Sequence, residues 1–248
     1  MLQERCELLR SLHVPGAPLI LPNAWDAASA RAVVSAGFPA VATTSGGVAA
    51  SLGFEDHENA PAFEMFAAAT RIAAAVDTPV TVDSEAGYGL SPDDLVESLL
   101  RIGAAGCNLE DTDHSSGRLA DVEGQAERLA AIRQAARDRK YGLVINARID
   151  VFLTDRARPQ GELLEQASVR ARAYHSAGVD CVYPIFLHDE DAIAAFMREA
   201  QGPVNILAVP QAPPVARLAV LGVARISYGS GIHHRMMDEL ARILADIG

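Results

Sequence analysis

From residue 19 onward, short apolar runs alternate with longer stretches of helical periodicity, about one pair every 30 residues. The runs with strand character are Leu19–Leu21, Ala40–Thr43, Val80–Asp83, Cys107–Glu110, Leu143–Arg148, Cys181–Pro184, Val204–Val209 and Arg225–Tyr228. Amphipathic stretches lie between them, at Ala27–Ala36, Ala62–Val76, Pro92–Ala105, Val122–Arg139, Leu163–Ala177 and Asp191–Ala200. Val- and Ile-rich strands joined by helices must run parallel, because each helix carries the chain back across the sheet. Gly37, Gly106 and Gly178 each fall between a helical stretch and the next strand, where a left-handed helix stop is expected.

Eight such units in a chain of 248 residues predict an α/β fold, a (β/α)8 TIM barrel, with residues 1–248 forming a single domain. No linker or shift of composition divides the chain. The alternative is a doubly wound open sheet, which needs a glycine-rich first turn. The first turn here, residues 22–26, reads ProAsnAlaTrpAsp and has no GxGxxG.

Charge excludes several classes of function. Lys and Arg number 21 against 32 Asp and Glu, a net charge of −11, which argues against nucleic acid and against an anionic membrane surface as partners. No apolar run reaches the ~18 residues of a membrane span, and the first residues are too charged for a signal peptide. Cys6, Cys107 and Cys181 are far apart with no CxxC pair, so a reduced, cytoplasmic chain without a zinc cluster is expected. Cys107 and Cys181 lie in apolar runs and read as core. Lys140 is the only lysine and sits in a charged helix-terminal run, the wrong setting for a Schiff base.

In such a barrel the working face lies at the C-terminal ends of the strands. Those ends are acidic here. Asp83 and Glu85 are two apart and so point to the same side of the third strand; Glu110 ends the adjacent strand, and Asp56 comes from the preceding loop. Converging carboxylates repel one another unless a cation neutralises them, and an all-oxygen set suits Mg2+ or Mn2+. Asn146, Arg148 and Asp150 share a face on the fifth strand. His233 and His234 read as the start of the last helix, and Trp25 as packing at the mouth. GlySerGly at 229–231 is a weak sign of a phosphate site.

The segments SerGlyGlyValAlaAlaSerLeuGlyPheGluAsp (45–56), AspSerGluAlaGlyTyrGly (83–89), AsnLeuGluAsp (108–111) and AsnAlaArgIleAsp (146–150) resemble those of the isocitrate lyase/phosphoenolpyruvate mutase superfamily, in particular its carboxyphosphonoenolpyruvate phosphonomutase-like members. The resemblance runs from residue 21 to residue 229. It implies an oligomeric barrel that holds Mg2+ and makes or breaks C–C or P–C bonds beside a 2-oxo carboxylate. It further implies that Asp83 binds the metal directly, with Asp56, Glu85 and Glu110 reaching it through water. Ser45, Gly46 and Gly47 would cradle the substrate carboxylate, and Arg148 would contact the substrate. Glu85 stands where many relatives have aspartate.

The loop after the fourth strand departs from the family. Lyase relatives carry a KKCGH-like segment whose cysteine donates a proton, and mutases carry lysine and asparagine. This chain reads ThrAspHisSerSerGlyArgLeu at 112–119 and has none of them. His114 is the first candidate for the missing proton donor and Tyr88 the second. The expectation is a Mg2+-dependent lyase that cleaves a C–C bond in, or decarboxylates, a small 2-oxo or 2-hydroxy dicarboxylate through an enolate. The alternatives are a phosphonomutase or phosphonopyruvate hydrolase, and a non-catalytic barrel that binds a 2-oxo acid. Relatives often exchange a C-terminal helix, but this chain ends directly after the helix that should follow the eighth strand, which argues against such an exchange.

Overall fold

The computed structural model describes residues 1–247. In chain order it contains α1 (Leu2–Ser11), β1 (Leu19–Leu21), β2 (Asn23–Ala24), α2 (Ala27–Ser35), β3 (Val41–Thr43), α3 (Ser45–Leu52), α4 (Ala62–Ala74) and β4 (Val80–Asp83). There follow α5 (Pro92–Ile102), β5 (Gly106–Glu110), a hairpin of β6 (Thr112–Asp113) and β7 (Arg118–Leu119), α6 (Val122–Asp138), β8 (Val144–Ile149) and α7 (Val151–Thr154). The last third holds α8 (Gln160–Ser176), β9 (Cys181–Pro184), α9 (Glu190–Glu199), β10 (Asn205–Leu207), α10 (Val215–Val220), β11 (Arg225–Ser227) and α11 (Gly231–Ile247).

The strands close into the expected barrel. β2, β3, β4, β5, β8 and β9 pair in parallel in that order, and β1, β11 and β10 form the remaining arc. A parallel bridge from Val182 to Val204 joins β9 to the approach to β10. β1 and β2 are one barrel strand interrupted at Pro22, which has no N–H for the ladder: β1 pairs with β11 on one side and β2 with β3 on the other. The barrel encloses a core of Val, Ile, Leu and Ala in which Cys107 and Cys181 are fully buried, as expected.

Local chemistry sets the helix ends. Asp26 and Ser29 form a capping box at α2, and Ser91 caps α5 ahead of Pro92. Gly37 and Gly178 are left-handed, as expected, but Gly106 is not. The stop after α5 is Gly103 (φ 78°). Gly106 already belongs to β5, where a Cβ would lie 2.7 Å from Val144 O, so it is small for packing.

α1 lies beneath the barrel. Its Cys6 and Leu9 are fully buried, and Arg10 donates to Asp180 Oδ1 (2.7 Å) and to the carbonyl of Gly142, both just ahead of strands. α11 behaves differently. His233 is its one buried residue, and Met236, Met237, Leu240, Ile243 and Leu244 are all exposed on it. The helix after the last strand therefore carries an uncovered apolar face.

Candidate active site

A cleft of about 440 Å³ opens where the strands end, lined among others by Ser45, Asp56, Asp83, Asn108, Arg148 and Ser230. Asp83, the last residue of β4, is held by its neighbours: its N–H donates to Thr43 Oγ1 (2.8 Å), and its Oδ2 accepts from the Ser45 N–H (3.1 Å). That second bond comes from the first turn of α3, where backbone donors have no partners within the helix. Burial pushes the Asp83 carboxyl up, against the pull of Arg148.

Asp56 reaches the same place from the loop after α3. A Cβ on Gly46 would fall 2.9 Å from Asp56 Oδ2 and 2.8 Å from Ser230 Oγ, so only glycine lets that carboxylate lie against the helix start. Gly47 is equally confined, by Thr44 and Trp25. Ser45, Gly46 and Gly47 thus form the opening turn of α3. Oδ1 of Asp83 and Oδ1 of Asp56 are both buried and lack any hydrogen-bond partner. Two such oxygens beside one cleft fit a hard cation.

The charge of Asp83 reaches both of the other expected ligands, Glu85 and Glu110, and each of these already holds partners of its own. Among the described residues, no three His, Cys, Asp or Glu side chains form a ready metal cage. Glu85 departs because β4 stops at Asp83 and Glu85 is left-handed (φ 47°), so the strand period of two no longer aims its side chain. Its carboxylate accepts from the Glu58 N–H (2.6 Å) and the Tyr88 hydroxyl (2.7 Å), and burial raises it to about 7. Tyr88, with its hydroxyl so engaged and its ring edge-on to Phe66, does not line the cleft. Glu110 is already compensated: Arg148 Nη1 lies 2.5 Å from one oxygen and His114 Nε2 lies 2.5 Å from the other.

Arg148 is fixed on its far side by Asp150, to which Nε and Nη2 donate at 2.6 and 2.8 Å. Burial works against the charged guanidinium, but Asp150 and Glu110 outweigh it and hold Arg148 well above its ordinary value. Asp150 is itself bound by Thr112 Oγ1 (2.5 Å) and donates its N–H to Asp111 Oδ1 (2.9 Å). His114 sits on the β6–β7 hairpin and faces a second cavity of about 360 Å³, which Glu110 also lines. Its bond to Glu110 raises its pKa. The His57 ring, 5.6 Å from that of His114, lines the main cleft.

Several cleft residues carried a signal that the sequence reading passed over. Asn108 is two before Glu110 on the same strand, and so on the same face. His234 lines the cleft from the first turn of α11, so beginning that helix and facing the mouth are compatible. Arg156, whose guanidinium lies 4.1 Å over the Phe186 ring, comes from a segment without a motif.

A family model described as phosphoenolpyruvate phosphomutase matches residues 9–248. An uncharacterized protein of Mycobacterium tuberculosis H37Rv is 36% identical over 88% of this chain and 80% of its own length. The 2-methylisocitrate lyase of Bacillus subtilis is 30% identical over 77% of this chain and 62% of its own. A crystal structure described as that of a candidate phosphonomutase from Burkholderia cenocepacia J2315 is 44% identical, superposes with a TM-score of 0.92, and covers 98% of this chain and 99% of its own.

Proposed function

Because the chain belongs to the phosphoenolpyruvate phosphomutase family, within the isocitrate lyase/phosphoenolpyruvate mutase superfamily of enzymes, we propose that it is a lyase. Its reaction is the cleavage of a C–C bond in, or decarboxylation of, a small 2-oxo or 2-hydroxy dicarboxylate. The observation that carries this reading is the pair of unpartnered buried oxygens, Oδ1 of Asp83 and Oδ1 of Asp56, beside Arg148 in one cleft.

Asp83 and Asp56 would hold Mg2+ (or Mn2+), with Glu85 and Glu110 reaching it through water. When bound, the cation supplies the positive charge that a developing enolate requires. The chain's own groups do the rest. The first turn of α3, at Ser45, Gly46 and Gly47, offers backbone N–H groups to a carboxylate. Arg148, locked by Asp150, presents a preset cationic edge that needs no reorganisation as negative charge develops. His114, whose Nε2 is hydrogen-bonded to Glu110 Oε1, would return a proton to the product.

A second reading, P–C bond chemistry, is favoured by the 44% identity to the candidate phosphonomutase. The loop at 112–119 opposes it, since it lacks the lysine and asparagine of mutase relatives. An assay of 2-oxo, 2-hydroxy and phosphono acids with Mg2+, following pyruvate or glyoxylate release and phosphate separately, decides between them. Turnover of phosphonopyruvate alone would overturn the lyase assignment, and binding without turnover would make the barrel a receptor. The buried, unpaired cysteines suit a reducing cytoplasm, and the uncovered face of α11 suits association with a second copy of the chain.

A further inference from the structure

Asn108 is the residue through which the barrel interior touches the cleft. Arg225, fully buried on β11, donates from Nη2 to Asn108 Oδ1 (3.1 Å), and Asn146 Nδ2 donates to the same oxygen (2.9 Å). A guanidinium carries donors only, so the Asn108 amide can turn in one sense alone; flipped, its NH2 would meet an arginine N–H. The arrangement leaves Asn146 Oδ1 and Arg225 Nε and Nη1 buried without partners. A core built for stability alone would replace such a set with apolar side chains.

The other end of Asn108 faces the site. Its Cα is in register with that of Asp83 on the neighbouring strand, and the residue lines the cleft. Nδ2 has no partner within the protein and is not among the sealed polar atoms.

We propose that Asn108 Nδ2 donates a hydrogen bond to an oxygen of the bound 2-oxo acid, and that Arg225 is the positioning residue that keeps this amide turned toward the cleft. The inference rests on the functional reading above and names a substrate contact that does not depend on the acidic cluster. The Asn108 donor is neutral, so it holds an oxygen beside Asp83 without adding charge next to a cation site.

The test is a titration with oxalate in saturating Mg2+, read by calorimetry and by the fluorescence of Trp25, the sole tryptophan. Trp25 packs behind the first turn of α3, its Cβ 3.1 Å from where a Cβ on Gly47 would lie, and its ring stands edge-on to that of His233. Loss of one hydrogen bond to a charged ligand corresponds to about tenfold or more in affinity. Asn108→Leu and Asn108→Asp should each weaken oxalate by about that factor while Mg2+ alone binds no more weakly than to the parent. Asn108→Asp still accepts from Arg225 and Asn146, which keeps the fold testable. Arg225→Met should weaken oxalate as well, and Arg225→Lys should restore part of the loss. Parent-like oxalate affinity in a folded Asn108→Asp variant would overturn the contact, and equal affinity in both Arg225 variants would overturn the positioning role. Failure of the parent to bind oxalate would instead overturn the functional reading, and this inference with it.

Discussion

Arg148 Nη1 lies 2.5 Å from Glu110 Oε2, so the arginine proposed to contact the substrate and an acid expected to serve the metal are paired with each other. Both are buried, and burial raises Glu110 to about 7 against the opposing pull of Arg148 and His114. Removing the arginine would strand Glu110 and Asp150 as uncompensated buried carboxylates. Arg148→Met should therefore cost about 3–5 kcal/mol in denaturant unfolding. Arg148→Lys should keep most of the stability and still lose about 10²-fold in turnover, because an ammonium cannot reproduce the two-point bond to Asp150. An Arg148→Met unfolding midpoint equal to that of the parent would show that the pair contributes nothing to the fold.

The unpartnered oxygens of Asp83 and Asp56 lead to a ranking of metal affinities. Asp83→Ala should abolish Mg2+ binding. Glu85→Gln should only weaken it, because the Glu85 carboxylate is already occupied by Tyr88 and the Glu58 N–H. Calorimetry that finds parent-like Mg2+ binding in Asp83→Ala would remove Asp83 from the site.

No cysteine lines the cleft, all three are buried at 0% exposure, and burial pushes the Cys107 and Cys181 thiols up to about 12. Native enzyme should keep its activity under thiol alkylation, unlike cysteine-dependent lyases. If His114 returns the proton, His114→Ala should reduce kcat by ~10²–10⁴ with little change in KM. A loss below about threefold would remove His114 from the mechanism.

The barrel was legible because eight parallel repeats leave few other closures, and the acids at its mouth were legible because strand ends are short and marked. What escaped depends on backbone conformation. Residues 45–52 form α3 although two glycines open the run and Thr44 makes no side-chain cap, so nothing local announces a helix. Glu85 lost its expected direction because the chain turns left-handed two residues after β4 ends. Asn108 lay on the face that was read for Glu110. Its role depends on Arg225, 117 residues away in sequence, a pairing that no local pattern encodes.

The face of α11 should be covered by a second copy. Met236, Met237, Leu240, Ile243 and Leu244 recur at helical spacing and are 44–58% exposed. Light scattering at micromolar concentration should find a dimer or larger assembly, and Leu240→Glu with Ile243→Glu should reduce it to the 26.2 kDa chain. A parent protein that scatters as a single chain would contradict the assignment.

His13 gives the fold a pH dependence that can be isolated by one substitution. Its Nδ1 lies 2.8 Å from Leu9 O, and its Nε2 is buried without a partner. Burial, with the charge of Arg225 adding to it, lowers its pKa from 6.5 to about 4. Above 6.5 the ring is neutral in both folded and unfolded chains, so its contribution to stability is fully present. As the pH falls below that value the unfolded chain takes up a proton that the folded one refuses. Stability therefore drains away until the folded ring titrates near 4, and it changes no further below that. The total loss from this residue is about 3 kcal/mol. His13→Gln keeps a donor for Leu9 O but cannot titrate. Relative to the parent it should gain about that amount as unfolding curves are followed from neutrality down to pH ~4. Parallel curves for the two proteins would mean that His13 is protonated as easily in the folded chain as in the unfolded one.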